Sequence, residues 1–140
     1  MYKYACIFFL ALLLGCSSGK EILKEQESFT YSVKASDLQY SFQVDRKGKV
    51  VYVGTKGVAT KGRVNFSLDS GMKEGIWTHI DDLKPRLLPQ ESIIQTADTV
   101  KEIKYLFQDK NGVFIYSGSP EGFEQIDVIF DAMLNYPMRQ

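Results

Sequence analysis

LQYSFQVDRKGKVVYVG, residues 38–54, is the stretch from which the fold can be read. Leu38, Tyr40, Phe42 and Val44 alternate with Gln39, Ser41 and Gln43, the period-two pattern of a strand with one buried and one wet face. Asp45-Arg46-Lys47-Gly48 follows as a turn, because an Asp side chain can bond the backbone ahead of it and a glycine takes a positive φ without strain. Lys49 to Val53 then returns as the next strand, which sets Phe42 beside Tyr52 on the core side.

Working outward, Phe29, Tyr31 and Val33 alternate with Thr30 and Ser32 as an earlier strand. A Gly- and Lys-rich arch, Gly54 to Gly62, leads to another strand carrying Val64, Phe66 and Leu68 on one side. Asp69 or Ser70 can cap a helix in which Met72, Ile76, Ile80 and Leu83 recur at helical spacing, with Pro85 as its expected stop. Gly75 inside that helix costs about 1 kcal/mol relative to Ala, so the helix must lean on tertiary packing. Arg86 to Gln90 reads as a loop and Ser92 to Thr96 as at best a short edge strand.

The second half repeats the plan. Ile103, Tyr105 and Phe107 form a strand face, Asp109-Lys110-Asn111-Gly112 a turn, and Val113 to Tyr116 the return. Ser119-Pro120-Glu121 looks like a helix start, and Phe123, Ile126, Phe130 and Met133 make the buried stripe of a last helix ending before Pro137. Phe42, Gln43, Asp45, Gly48, Tyr52 and Gly54 correspond to Phe107, Gln108, Asp109, Gly112, Tyr116 and Gly118 if Val44 is an insertion. Internal duplication and convergence on good turn chemistry both account for this. The expected fold is α+β: an antiparallel sheet with two helices on one face, in hairpin-helix-hairpin-helix (ββαββα-like) order, as a single domain over residues 29–137. Tyr40, Phe42, Val50, Tyr52, Ile103, Tyr105 and Phe107 are its expected sheet core, with Ile76, Trp77, Ile80, Phe123, Ile126 and Phe130 packed over it.

The chain has 140 residues with 17 basic and 17 acidic side chains, a balance that speaks against nucleic acid as a partner. At its start, Lys3 precedes an apolar run from Ala5 to Leu14 that is too short to span a bilayer but suits a signal peptide. Leu13-Leu14-Gly15-Cys16 resembles the bacterial lipobox, in which the cysteine becomes the lipidated first residue. Residues 1–15 are therefore expected to be a lipoprotein signal peptide, Cys16 to carry palmitate-type lipid, and residues 16–28 to be a polar tether. The other cysteine, Cys6, lies in the segment expected to be removed, which disfavours a disulfide. Several buried acyl chains make such anchoring lasting without a polybasic patch. With Ser17 rather than Asp after the cysteine, the lipoprotein resemblance implies the outer membrane of a bacterial envelope, on its periplasmic or surface face, and Lys20-Glu21 resembles surface-export tags of some lipoproteins.

Gly48 to Gly54 with Tyr52, the helix around Trp77, Ala97-Asp98-Thr99 and the Ser119-Pro120 helix start resemble, over about residues 29–134, an uncharacterised domain family of small bacterial envelope lipoproteins. Its layout is similar to one repeat of the β-lactamase-inhibitor-protein fold. The resemblance implies a binding module and carries over no catalytic residue.

The side chains that could carry chemistry form no complete constellation. His79 with Asp82 offers two ligands on one helix side, short of the three or four a metal site needs. No Gly-x-Ser-x-Gly elbow accompanies the single histidine, Asp109 to Gly112 lacks calcium-loop spacing, and Gly54 to Gly62 lacks the Gly-Lys-Ser/Thr order of a phosphate loop. An anion or partner contact through Lys56, Lys61 and Arg63 is the functional alternative for that arch, and Trp77 reads as core. No catalytic residue, metal or cofactor is assigned. The expected function is a lipid-anchored interaction module whose partners are the membrane, through its lipid, and an envelope protein or polymer. The alternative is a hydrolase or lyase using carboxylates such as Asp98 and Glu102. If Asp109 opposes Val113, then Leu106 opposes Tyr116, and Leu106, Phe114 and Tyr116 form an apolar group facing away from the helices, flanked by Lys104 and Gln108. That group is the candidate binding site.

Overall fold

A computed structural model describes residues 26–87, 98–108 and 110–136. The expected signal peptide, Cys16, most of the expected tether, the expected edge strand Ser92–Thr96, and Pro137 lie outside the described residues. The elements run β1 (Ser28–Lys34), β2 (Gln39–Asp45), β3 (Lys49–Lys56), β4 (Gly62–Ser67), α1 (Ser70–Leu87), β5 (Val100–Phe107), β6 (Lys110–Tyr116) and α2 (Glu124–Met133). The fold is α+β, with six strands in one sheet of order β4-β3-β2-β1-β5-β6 and every neighbouring pair antiparallel. Four strands precede the first helix, as the alternation over residues 29–68 implies, so the hairpin-helix-hairpin-helix order is matched only in part.

Both helices cover the same face. Alternation along β1, β2 and β3 buries Phe29, Tyr31, Val33, Tyr40, Phe42, Val44, Val50 and Tyr52 against Ile76, Trp77, Ile80, Phe123, Ile126 and Phe130. Phe130 of α2 lies at the centre, 4.7 Å from the Tyr31 ring and 5.9 Å from those of Phe29 and Phe42. The expected core residues are all buried except Tyr105, which is half-buried. Phe42 pairs with Tyr52 as the Asp45–Gly48 turn implies; Gly48 has φ +81° and the Asp45 carboxylate accepts the Lys49 N–H at 2.9 Å.

Three expectations need correction. Pro85 does not stop α1 but lies in its last turn, where buried Leu83 and Leu87 hold the helix to the core on either side of it. The last helix begins at Glu124, not at Ser119: Gly122 takes φ +91°, and Ser119 Oγ is spent on the Asp127 side chain rather than on a backbone cap. The β5–β6 turn is not Asp109–Gly112. Phe107 pairs directly with Lys110, Gln108 enters the left-handed region at φ +51°, and Gly112 lies within β6 opposite Tyr105. A Cβ on Gly112 would sit 2.7 Å from Tyr105 Cζ, so the ring covers this glycine and takes it into the strand. The two hairpins thus differ in register, and the residues matched by the supposed repeat are not matched partners.

Candidate functional site

The β5–β6 register decides the fate of the expected binding cluster. Ile103 opposes Phe114 and Lys101 opposes Tyr116, five positions away from the expected pairing. An odd shift exchanges the faces of a strand. Phe114 and Tyr116 are therefore under the helices, 1% and 0% exposed, with ring centroids 5.2 and 4.8 Å from that of Phe123. The Leu106, Phe114 and Tyr116 cluster does not form. Leu106, 38% exposed, and Lys104 do lie on the open face, where Lys104 Nζ is 3.3 Å from Glu102.

Continuous pairing orders that open face into rows running from edge to edge. One row is Arg63, Val53, Ser41, Ser32, Glu102 and Ile115; the next is Asn65, Val51, Gln43, Thr30, Lys104 and Val113. The central strands contribute short hydroxyl and amide side chains, and the flanking strands contribute Val and Ile. Among the described residues, every aromatic of the strands takes a helix-side position. Between Gln39 and Tyr40 the β2–β3 register shifts, with Thr55 as the extra residue. Beside this bulge lies a hollow of about 380 Å³ lined by Ser32, Lys34, Gln39, Ser41, Val53, Thr55, Val100, Glu102 and Ile115.

The helix side holds two polar clusters that sequence reading missed. Asp127, 5% exposed, accepts hydrogen bonds from Tyr31 Oη (3.0 Å), Tyr116 Oη (2.7 Å), Ser119 Oγ (2.7 Å) and Lys101 Nζ (2.8 Å). Burial, reinforced by the neighbouring carboxylate charge, pushes both phenols far above the ordinary tyrosine range. Tyr40 Oη donates to Asp131 at 2.7 Å and is pushed up for the same reasons. These bonds dock α2 on the sheet, and each contact of Asp127 is with a group that the fold itself supplies.

The second cluster lies where β1 begins. Glu27, 1% exposed, accepts from Arg46 Nε at 2.8 Å and Lys84 Nζ at 3.0 Å, and Arg46 also forks onto Asp81. The Arg46 guanidinium lies 4.1 Å over the Trp77 ring, whose N–H donates to the Asp45 carbonyl, and Lys84 lies 4.6 Å over Phe107. Burial raises the Asp81 pKa, but its bonds to Arg46 and Lys84 outweigh that and hold it below the usual value. A run of charges between helix and turn gives no hint of such long-range pairs.

His79 lines an apolar groove of about 330 Å³ between α1 and α2, with Met72, Ile76, Ile129, Met133 and Tyr136. Asp82 is exposed, and no group of three metal-ligating side chains occurs among the described residues. Asp98 is exposed before β5 and does not line the open-face hollow that contains Glu102. In the arch, Lys56 Nζ bonds the Ser36 carbonyl, Lys61 is exposed, and Arg63 joins the open face. Among the described residues no helix is long and apolar enough to cross a membrane. No protein-family model and no curated protein matches the chain.

Proposed function

We propose that the chain is a lipid-anchored binding module of the bacterial envelope, held through Cys16, with residues 1–15 removed, and presenting its open sheet face to an envelope protein or polymer. The reading is carried by the array of exposed Gln and half-buried Ser and Thr side chains across β1 and β2, beside a hollow, on a sheet whose other face packs under both helices. Such a face offers hydrogen bonds over a broad, shallow area, with Val51, Val53, Val113 and Ile115 as apolar flanks. The clamp on Glu27 supports the anchored reading, because it fixes the point at which the tether joins the domain.

The carboxylate-dependent hydrolase or lyase is the weaker reading. Its two carboxylates are not brought together: Glu102 lines the hollow beside Lys104, and Asp98 does not line it. The doubled ββα plan belongs to the proposal in altered form, as β3-β4-α1 and β5-β6-α2 with β1 and β2 added. The outer membrane is the proposed destination.

Cys16→Ala tests the anchor. An unlipidated precursor that keeps residues 1–15 is expected, and unchanged lipid labelling and membrane partition would contradict the proposal.

A further inference from the structure

Charge is unevenly distributed between the two sides of this electrically balanced chain. The open face carries Lys34, Lys49, Lys56, Arg63 and Lys104 against two carboxylates, Asp45 and Glu102, in a chain of formal net charge +0. Both carboxylates are engaged, Asp45 by the Lys49 N–H and Glu102 by Lys104. Lys34 and Arg63 make no ion pair among the described residues. Lys34 lines the hollow directly, and Arg63 is the cross-strand partner of Val53, which lines it too. The hollow therefore presents hydroxyl donors from Ser32, Ser41 and Thr55 beside the Lys34 ammonium, and the one carboxylate in its lining, Glu102, is paired with Lys104.

From this we infer that the open face takes an acidic segment of a partner protein, one of whose carboxylate side chains enters the hollow between the Ser32 and Ser41 hydroxyls and the Lys34 ammonium. The inference rests on the binding-module reading and adds the chemistry of the partner. A carboxylate is matched there by both charge and hydrogen-bond donors, and charge-assisted bonds of this kind are about twice as strong as neutral ones. A protein suits the face better than an acidic polysaccharide for two reasons. Val51 and Val53 on one flank and Val113, Ile115 and Leu106 on the other need apolar side chains opposite them, and the aromatic rings on which sugars stack are turned to the helix side. The excess of cations over carboxylates on the open face also accelerates encounter with an acidic partner and disfavours basic ones.

The full chain in zwitterionic detergent, isotopically labelled, is titrated with a hexa-aspartate peptide while backbone amide resonances are followed. Saturable shifts centred on Ser32, Ser41 and Val53 are expected, together with weakening as salt rises from about 0.05 to about 0.5 M. Lys34→Glu is expected to weaken binding at least about tenfold, whereas Lys73→Glu, on α1, leaves it unchanged. Hexalysine should give no saturable shift at these amides. Three results would each overturn the inference: silence of the open face toward hexa-aspartate, equal loss in both charge-reversed variants, or tighter binding of polygalacturonate at matched charge. If the acidic peptide leaves the face silent while changes at Ser41 still abolish envelope capture, the acidic partner class fails and the module reading stands. Loss of both means that the open face is not a binding surface.

Discussion

The hydroxyls of Tyr31 and Tyr116, from strands at opposite ends of the sequence, meet on one oxygen, Oδ1 of Asp127, at 3.0 and 2.7 Å. Both phenols are held neutral in the fold, while in the unfolded chain they ionise near pH 10. Their raised pKa values therefore contribute stability that is complete below about pH 10 and is lost as the pH rises beyond it. Urea-unfolding midpoints are expected to fall steeply above about pH 10, and the Tyr31→Phe, Tyr116→Phe double variant to show a shallower decline. An equal slope in both proteins would contradict this linkage.

Arg46 joins the buried Glu27 to Asp81 and covers Trp77. Removing it leaves Glu27 with Lys84 as its remaining cation, so Arg46→Ala should destabilise the fold by about 3 kcal/mol. Lys at this position cannot fork onto both carboxylates, and Arg46→Lys should recover less than half of the loss. Asp81, whose pKa is lowered in the fold, contributes stability present above its ordinary value near pH 4 and lost as the pH falls through the lowered one. Denaturant titrations below about pH 4 should thus show a flatter acid limb in Arg46→Ala than in the parent.

Gln108 holds a left-handed conformation, φ +51°, that glycine adopts without a Cβ penalty. Gln108→Gly should stabilise the protein by about 1 kcal/mol. Thermal unfolding checks it, and a lower midpoint would argue against the two-residue turn.

The contrast between the two hairpins shows what was legible in the amino-acid order. Asp45 and Gly48 flank a turn whose chemistry fixes Phe42 opposite Tyr52, and that pairing holds. Asp109 and Gly112 have the same spacing, but the Tyr105 ring over Gly112 outcompetes the local turn preference. A turn placed elsewhere by a tertiary contact changes the register by an odd number, and Phe114 and Tyr116 go to the core instead of the surface. α1 was readable from its apolar spacing, but its passage through Pro85 depends on Leu87 finding the core. The open face was implicit in Ser32, Ser41 and Gln43 alternating with core residues. Its rows emerge only from pairing across six strands. Asp127 meeting Tyr31, 96 positions away, leaves no local signal at all.

The open sheet face, not the helical face, is the proposed binding surface. A photo-crosslinking amino acid placed in turn at Ser41, on the open face, and at Val128, exposed on α2, tests it in native envelopes. Covalent adducts are predicted from position 41, suppressed by Ser32→Glu, and not from position 128. Adducts arising from position 128 while position 41 gives none would contradict the account.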